Sequence, residues 1–348
     1  MHSVRSGFFP LDKQLGAQDK HWSEGVARQA VWLSGKVTYR EVAEILQEVG
    51  QMCISASSVW RITQSWGQKI QEKDEQAEAA ATAPPARDEL IPGERLGQER
   101  MGVSMDGAMV YVLGEGWKEL KAGTVFRVEE ESVLDKQTLE EEKIGRARAV
   151  SYVAHLGGPE PFGKRLWTEA KQRQWMRASD TQVVADGAAW IWNLAAEHFY
   201  DSQQVVDWYH AVEHLSKAAE HLYGMADSPA KQHWMNAHKE ALFQGQAEGI
   251  ANELRQQAQR ETNEGICQEA SYFENHKRRM NYLDLRTEGW LIGSGTVESG
   301  AKQYKSRFTG PGMRWKRASL ERLIPVRSAV MSNYFGRVWQ SVYNSPAN

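Results

Sequence analysis

Two apolar segments that end in the same triplet constrain this chain more than any other feature. Residues 101–105 and 181–185 have the apolar patterns of short strands, and Asp-Gly-Ala follows each of them, beginning at Asp106 and Asp186. We predict that each carboxylate lies at the end or edge of a strand, where the glycine lets the backbone turn away. Alternating strand and helix patterns over residues 101–223 predict an α/β sheet around them.

A third carboxylate, Glu298, lies in the glycine-rich segment GSGTVE at the start of a predicted helix. Lys302 and Lys305 follow on the same helix face. Hard cations such as Mg²⁺ take oxygen ligands, and two ions roughly 3.5–4 Å apart serve the attacking and leaving oxygens of a phosphodiester. The three acids therefore predict metal-dependent phosphodiester chemistry. A surface turn remains the alternative for each Asp-Gly taken alone.

Composition and cysteine usage limit the classes of protein to consider. A chain of 348 residues with 41% hydrophobic residues can bury a core without disulfides. Cys53 and Cys267 are far apart and in no metal-binding spacing, which is typical of a reducing compartment. Neither a signal peptide nor an apolar run of membrane-spanning length is visible in the sequence. We expect a soluble, cytoplasmic protein.

Positive charge is concentrated near the C-terminus although the net charge is −3. Residues 302–327 contain eight Lys or Arg and one acid, Glu321, which gives a local charge of 8 − 1 = +7. This pattern predicts contact with DNA phosphates, and a solvated helix face is the alternative. Trp315 in this segment could stack on an unpaired base or pack in the core. The predicted phosphate-binding residues are Lys302, Lys305, Arg307, Arg314, Lys316 and Arg317.

Residues 20–72 have the pattern of short helices separated by tight turns. Thr38 and Glu41 predict a capping box at the start of the second helix. The third helix is predicted to bury Val59, Ile62 and Trp66 and to expose Ser57, Ser58, Arg61, Gln64 and Ser65. Such a segment resembles a helix-turn-helix DNA reader, in which Ser58 and Arg61 would contact bases. A small helical bundle without a DNA role is the alternative.

The composition shifts predict five segments along the chain. They are a helix-turn-helix module at 20–72, a linker at 73–100, a first part of the catalytic core at 101–223, a helical insertion at 224–288, and a second part of the core with the basic segment at 289–340.

Two other functions fit parts of the same sequence. His210, Glu213 and His214 match the H-x-x-E-H pattern of a zinc metallopeptidase, with both histidines on one helix face. That pattern leaves the Asp-Gly-Ala pair and the basic segment unexplained. A non-catalytic DNA-binding regulator would use residues 24–72 and the basic C-terminal segment, but it has no need of three acids.

Four stretches resemble insertion-sequence transposases of the Kra group, a bacterial DDE family, and the similarity covers most of residues 8–335. They are VSMDGAMV (103–110), VVADGAAWIW (183–192), VVDWYHAVEHL (205–215) and GSGTVESGAKQYKSRFTGPGMRWKR (293–317). Members of that group usually carry a cysteine-bearing segment ahead of the stretch matched by residues 7–12. The start MHSVRS lacks it, so the resemblance implies a shortened or misassigned gene start, or a decayed copy.

The resemblance implies a fold, a site and partners. The implied fold is α/β, a ribonuclease-H-like mixed sheet of five strands with a helical insertion, preceded by an all-α helix-turn-helix module. Asp106, Asp186 and Glu298 would form the acidic triad that binds two Mg²⁺ ions, with Mn²⁺ as a substitute. Asp207 and His210 match the Asp-x-x-His element of related families and would support the site. The partner would be double-stranded DNA, bound at terminal inverted repeats and target sites by a homodimer or larger assembly, in a bacterial nucleoid.

Overall fold

The computed structural model describes residues 22–81, 99–134 and 141–343, and within them the chain divides into two compact units. The first unit comprises residues 22–80, 109–118 and 303–343. The second comprises residues 81, 99–108, 119–134 and 141–302. No helix in these described ranges combines the length and the apolar character needed to cross a bilayer.

Helices and a single five-stranded sheet make up the described residues. The strands are β1 (Arg100–Val112), β2 (Gly116–Leu134), β3 (Glu141–Leu156), β4 (Thr181–Ala185) and β5 (Gln203–Val206). The helices are α1 (Glu24–Ser34), α2 (Tyr39–Glu48), α3 (Ala56–Ala80), α4 (Pro159–Gln172), α5 (Ala189–His198), α6 (Trp208–Tyr223), α7 (Pro229–Phe243), α8 (Ala247–Glu261), α9 (Glu264–His276), α10 (Tyr282–Thr287), α11 (Gly295–Phe308), α12 (Arg317–Met331) and α13 (Phe335–Tyr343).

The strand order is β3-β2-β1-β4-β5, and the sheet mixes parallel and antiparallel pairs. β4 runs parallel to both β1 and β5, whereas β2 and β3 are antiparallel. Parallel neighbours need a crossover connection, and α4 and α5 lie between the strands that require one. The predicted mixed α/β architecture is confirmed at this level. Apolar residues of the strands and of α4 to α10 form the core of the second unit.

The capping box predicted for α2 is present. The Thr38 hydroxyl accepts the Glu41 N–H at 3.3 Å, and the Glu41 carboxylate accepts the Thr38 N–H at 2.8 Å. In α3 the predicted inward residues Val59, Ile62 and Trp66 are buried. Gln64, predicted to face outward, is instead buried and donates to the Ser319 carbonyl at 3.1 Å. The reason is that α3 also packs against α12, which the local pattern of α3 does not reveal.

The beginning of the predicted linker is helical. Residues 73–80 complete α3, and 82–98 lie outside the described residues. Side-chain pairs one turn apart, such as Gln68 with Glu72 and Gln71 with Glu75, support this extension. The run of Glu, Gln and Ala in 73–80 has high helix propensity, so the absence of an apolar stripe did not indicate a break.

The grouping of the C-terminal segment also differs from the predicted domains. Residues 303–343 belong to the same unit as α1 to α3, although 289–340 was predicted to complete the catalytic core. Buried arginines make the connection, since Arg307 donates to the Ser34 carbonyl at 2.8 Å and Arg327 donates to the Gly35 carbonyl at 2.9 Å. Contacts between positions almost three hundred residues apart are not encoded in a local pattern.

Substitution of Gly67 by alanine is expected to destabilise the first unit by about 1–3 kcal/mol, as overpacking does. A Cβ at this position of α3 would lie 2.2 Å from the Arg322 carbonyl oxygen of α12, which is backbone and cannot move aside alone. The matched control is Gly249→Ala on α8, where a Cβ meets nothing within 4 Å and helix propensity favours alanine. Thermal unfolding should show opposite shifts, and a Tm for Gly67→Ala at or above that of the wild type would contradict the close packing.

Candidate metal centre

Three aspartates occupy one row across the parallel part of the sheet. The paired register ends at the row of residues 105, 185 and 206, so Asp106, Asp186 and Asp207 stand in the next row. Neighbouring strands lie about 4.8 Å apart, and the three carboxylates therefore start from adjacent backbone positions. The sequence predicted the first two as a pair, and the third joins them because β5 ends level with β4.

The turn predicted after Asp186 is present. Gly187 has a φ of +107°, a conformation that side-chain-bearing residues rarely adopt, and the Asp186 carboxylate accepts the Ala188 N–H at 2.8 Å. The chain therefore leaves the sheet immediately after the carboxylate and begins α5. This geometry holds the Asp186 side chain at the end of β4.

Asp106 lies within a strand, so the predicted turn after it is wrong. β1 continues through Gly107 to Val112, and β2 is its neighbour in the sheet on the side away from β4. Gly107 serves a different purpose, since a Cβ there would lie 2.4 Å from a carboxylate oxygen of Glu119. The Asp106 carboxylate accepts the Gly107 N–H at 2.6 Å, which fixes its rotamer beside the backbone.

Glu298 lies in the first turn of α11 and is held by the segment before it. Ser294 donates its hydroxyl to Glu298 Oε1 at 3.1 Å and its backbone N–H to Asp207 Oδ2. Leu291, three residues before Ser294, is held by the wholly buried Gln182 of β4. Gln182 donates to the Leu291 carbonyl at 2.5 Å and accepts the Leu291 N–H at 3.2 Å. These bonds fasten the start of α11 to the row of aspartates.

Asp207 is completely buried and both of its oxygens accept hydrogen bonds. One oxygen caps α6 by accepting the His210 N–H at 2.9 Å, and the other accepts the Ser294 N–H. A buried carboxylate needs such partners, and here they link β5, α6 and the loop before α11. The role predicted for Asp207, support of the site, fits this arrangement.

The acids influence one another electrostatically. Burial is the largest cause that raises the pKa of Asp106, and the negative charges of Asp186 and Glu298 raise it further. The Gly107 N–H and His210 act in the opposite direction. The site thus concentrates negative charge in a partly desolvated position, which is the environment that a bound cation relieves.

Replacing Asp106 by asparagine is expected to stabilise the metal-free protein at neutral pH. A carboxyl whose folded-state pKa is raised contributes stability below the ordinary value of 3.8 and loses it as the pH rises through the folded-state pKa. The Tm advantage of Asp106→Asn in EDTA should therefore be largest near pH 7 and shrink toward acid. Added Mg²⁺ should raise the Tm of the wild type and not of the variant. An advantage that is independent of pH would argue against the raised pKa.

The closest set of potential metal ligands differs from the predicted triad. Among the described residues, one set of three offers ligand atoms within 4.8 Å of one another, namely Asp207, His210 and Glu298. His210 Nδ1 is buried without a hydrogen-bond partner and lies 3.6 Å from Asp207 Oδ1. Both Asp207 oxygens already accept N–H groups, which suits Asp207 to positioning, whereas His210 Nδ1 and the Glu298 carboxylate keep atoms that could take a cation.

The zinc-peptidase pattern does not assemble into a site. His214 Nδ1 lies 2.6 Å from Glu269 Oε2, and its ring stacks on Tyr272 at 3.5 Å. His214 is absent from the set that contains His210, and Glu213 is exposed. The two histidines share a helix face, but their partners direct them to different surroundings.

Tyr272 of α9 is a site residue that the sequence did not indicate. Its hydroxyl donates to the Asp186 carbonyl at 3.2 Å, and its ring lies 3.0 Å from the position of a Cβ on Gly187. Burial raises the pKa of Tyr272, and the Asp186 charge adds to the effect, so the hydroxyl keeps its proton. Nearby, burial is the main cause that lowers the pKa of His276 to about 4, which leaves it neutral at pH 7. The helical insertion therefore braces the Asp186 turn.

Four of the six predicted phosphate-binding residues are exposed, and the other two already bond other groups of the protein. The exposed ones are Lys302, Lys305, Arg314 and Lys316. Arg307 is 2% exposed and bonds Ser34, so it is not part of an exposed phosphate-binding surface, contrary to prediction. Arg317 forms two bonds to Glu115 at 2.8 and 2.6 Å and a third to Glu321 at 3.2 Å, so its charge is already paired.

Two further predictions concern the first unit. Trp315 is buried and donates its indole N–H to the Phe308 carbonyl at 2.8 Å, which confirms core packing over base stacking. Arg61 is exposed and donates to the Ser58 hydroxyl at 3.0 Å. Ser58 and Arg61 line a groove of about 850 Å³, a position that is compatible with contact to a ligand.

No protein-family model matches the chain, and no curated protein gives a match. The arrangement of Asp106, Asp186 and Glu298, with Asp207 and Tyr272 as supports, is therefore the basis for assigning a function.

Proposed function

We propose that this chain is a DNA transposase of the DDE type, which hydrolyses phosphodiesters at the ends of an insertion sequence and transfers the strands. The observation that carries the proposal is the adjacency of Asp106 and Asp186 on neighbouring parallel strands, with the charge of Glu298 acting on Asp106. The resemblance of four stretches to Kra-group transposases supports the same function.

We further propose that the fold is ribonuclease-H-like. The strand order, with β1 between β2 and β4, and the parallel pairing of β1, β4 and β5 are compatible with that fold. So is the location of one aspartate on β1, one directly after β4 and a glutamate on the later helix α11. Helices α7 to α10 lie between the second and third acids, as an insertion would.

The donor set suits hard divalent cations. Asp106, Asp186 and Glu298 offer carboxylate oxygens, which Mg²⁺ and Mn²⁺ prefer. Burial, and then the charges of Asp186 and Glu298, raise the pKa of Asp106, and a bound cation would offset both causes. We propose that these three residues hold two Mg²⁺ ions, with Mn²⁺ as a substitute. When bound, such ions lower the pKa of a coordinated water and neutralise charge on the phosphate.

The remaining residues position the acids and hold the substrate. Asp207 fixes the Ser294 backbone and thereby the hydroxyl that donates to Glu298, so its role is positioning. Exposed Lys302 and Lys305 of α11 would bind DNA phosphates. Joining two DNA ends in one event requires two sites, so we propose a homodimer or larger assembly on DNA, in the cytoplasm of a bacterial cell.

Cleavage of the DNA that flanks this gene tests the proposal. A supercoiled plasmid carrying the flanking sequences, which we expect to contain inverted repeats, should be nicked at the repeat ends by the purified protein with Mg²⁺ and not with EDTA. A plasmid with scrambled ends is the control. Specific binding without cleavage in Mg²⁺ or Mn²⁺ would favour the non-catalytic regulator and contradict the transposase.

Lys305→Ala is expected to weaken DNA binding similarly for all sequences. One lost phosphate contact should reduce the slope of log affinity against log salt concentration by about one. Fluorescence anisotropy with a labelled duplex between 50 and 200 mM salt, roughly the range over which such slopes are read, provides the measurement. Lys164→Ala, an exposed lysine of α4, is the control, and an equal slope change in both variants would remove Lys305 from the interface.

A further inference from the structure

A pocket of about 520 Å³ in the first unit combines positive charge with aromatic rings. Its lining includes the cations Arg307, Arg314 and Lys316 and the rings of Tyr39, Trp60 and Trp315, and none of its described lining residues is an acid. It shares no residue with the carboxylate site. The volume lies in the range of small-ligand sites, which is roughly 300–1,000 Å³.

Arg307 supplies a buried cation with an unused donor. Its Nε donates to the Ser34 carbonyl at 2.8 Å, but its Nη2 is buried and has no hydrogen-bond partner. The hydroxyl of Tyr39, which also lines the pocket, is buried without a partner in hydrogen-bond geometry. The Arg307 guanidinium lies over the Tyr39 ring, 5.3 Å from its centroid, so it contributes positive charge to the back of the pocket from within the core.

The aromatic surface of the pocket that reaches solvent comes from one exposed indole. Trp60 of α3 is 42% exposed, whereas Trp315 is buried as part of the core. An indole that reaches solvent beside cations offers a planar surface on which a nucleobase stacks. Exposed Arg314 and Lys316 extend the positive charge from the buried guanidinium toward solvent.

We propose that this pocket binds one nucleotide unit, with its phosphate on the exposed Arg314 and Lys316 and its base stacked on Trp60. Guanidinium groups suit phosphate because their N–H donors match its oxygens. The proposal rests on the proposed function only for the source of the nucleotide, which we take to be an unpaired position of a DNA strand. A free nucleotide has the same chemistry and is the other source.

Nucleotide binding measured in EDTA tests this pocket independently of DNA cleavage, because EDTA removes the divalent ions that cleavage would require. The probes are a fluorescein-labelled fifteen-residue oligothymidylate, the corresponding duplex, and thymidine monophosphate, each titrated against the full chain. Trp60→Ala should weaken oligothymidylate binding by roughly 5- to 150-fold, the effect of one lost base stack. Arg314→Ala should weaken it and lower the salt dependence. Trp32→Ala is the control, an indole of α1 that is 39% exposed and outside the pocket.

The outcomes distinguish the sources and the two proposals. Trp60-dependent binding of the oligonucleotide alone assigns the pocket to a DNA strand, and Trp60-dependent binding of the monophosphate assigns it to free nucleotide as well. If Trp60→Ala and Arg314→Ala both bind every probe as tightly as the wild type does, the proposed nucleotide pocket is wrong, even if the protein cleaves DNA. Conversely, Trp60-dependent binding in a protein that cleaves nothing would support the pocket and count against the transposase.

Discussion

Replacing Asp186 by asparagine should lower Mg²⁺-dependent DNA cleavage by about 10³-fold, because metal ions supply several kcal/mol of transition-state stabilisation. The amide oxygen can still accept the Ala188 N–H, and Tyr272 bonds the backbone carbonyl rather than the side chain. The turn at Gly187 should therefore persist. Rates of nicking under single-turnover conditions, with circular dichroism as a check of the fold, measure the effect.

Asp227→Asn is the matched control for Asp186→Asn. Asp227 is an exposed aspartate of the same unit that accepts a bond from Gln232, and its loss should leave cleavage unchanged. Mn²⁺ binding, followed by electron paramagnetic resonance, adds a readout without DNA and should weaken only in Asp186→Asn. Cleavage by Asp186→Asn within a few fold of the wild type would exclude Asp186 as a metal ligand.

Replacing Asp207 by alanine is expected to be the most destabilising change at the site, by roughly 2–4 kcal/mol. The estimate adds about 1 kcal/mol for the lost cap of α6 to roughly 1–3 kcal/mol for the buried Ser294 N–H left without an acceptor. For a unit of this size the Tm should fall by roughly 5–15 °C. Activity measured well below the Tm should also fall, because Ser294 no longer holds Glu298.

Ser228→Ala is the control for Asp207→Ala, because it removes a helix cap without removing a bond to Ser294. Ser228 caps α7 by accepting the Lys231 N–H at 3.2 Å and has no second acceptor role at the site. We expect it to cost about 1 kcal/mol and to leave cleavage intact. If Asp207→Ala cost no more than Ser228→Ala and cleaved DNA as well, the proposed coupling of Asp207 to Glu298 would be wrong.

Local sequence patterns predicted the features that depend on a few neighbouring residues. The capping box of Thr38 and Glu41 forms as expected because both partners lie within one helical turn. The turn after Asp186 follows from the glycine next to it. The helical character of 224–288 follows from composition and spacing. Each of these predictions needed only the chain on either side of the feature.

Predictions were wrong where a segment distant in the sequence buries the residue. Arg307 resembled a phosphate-binding residue because its neighbours are basic, but the Ser34 carbonyl draws it into the core. Gln64 was expected outside, yet α12 covers it and offers the Ser319 carbonyl. A buried polar residue in an apolar strand, Gln182, was a signal that went unused, since such a residue requires partners.

The sequence by itself determined that Asp186 directly follows a strand and that Glu298 lies in the first turn of a helix, but not that β1 continues past Asp106. Only the tertiary structure placed Asp207 in the same row as Asp106 and Asp186 and connected it through Ser294 to Glu298. The physical reason is the distance along the chain over which each kind of interaction acts. Strand and cap preferences act over a few residues, whereas the register between strands and the acceptor for a buried N–H depend on groups brought together from distant parts of the chain.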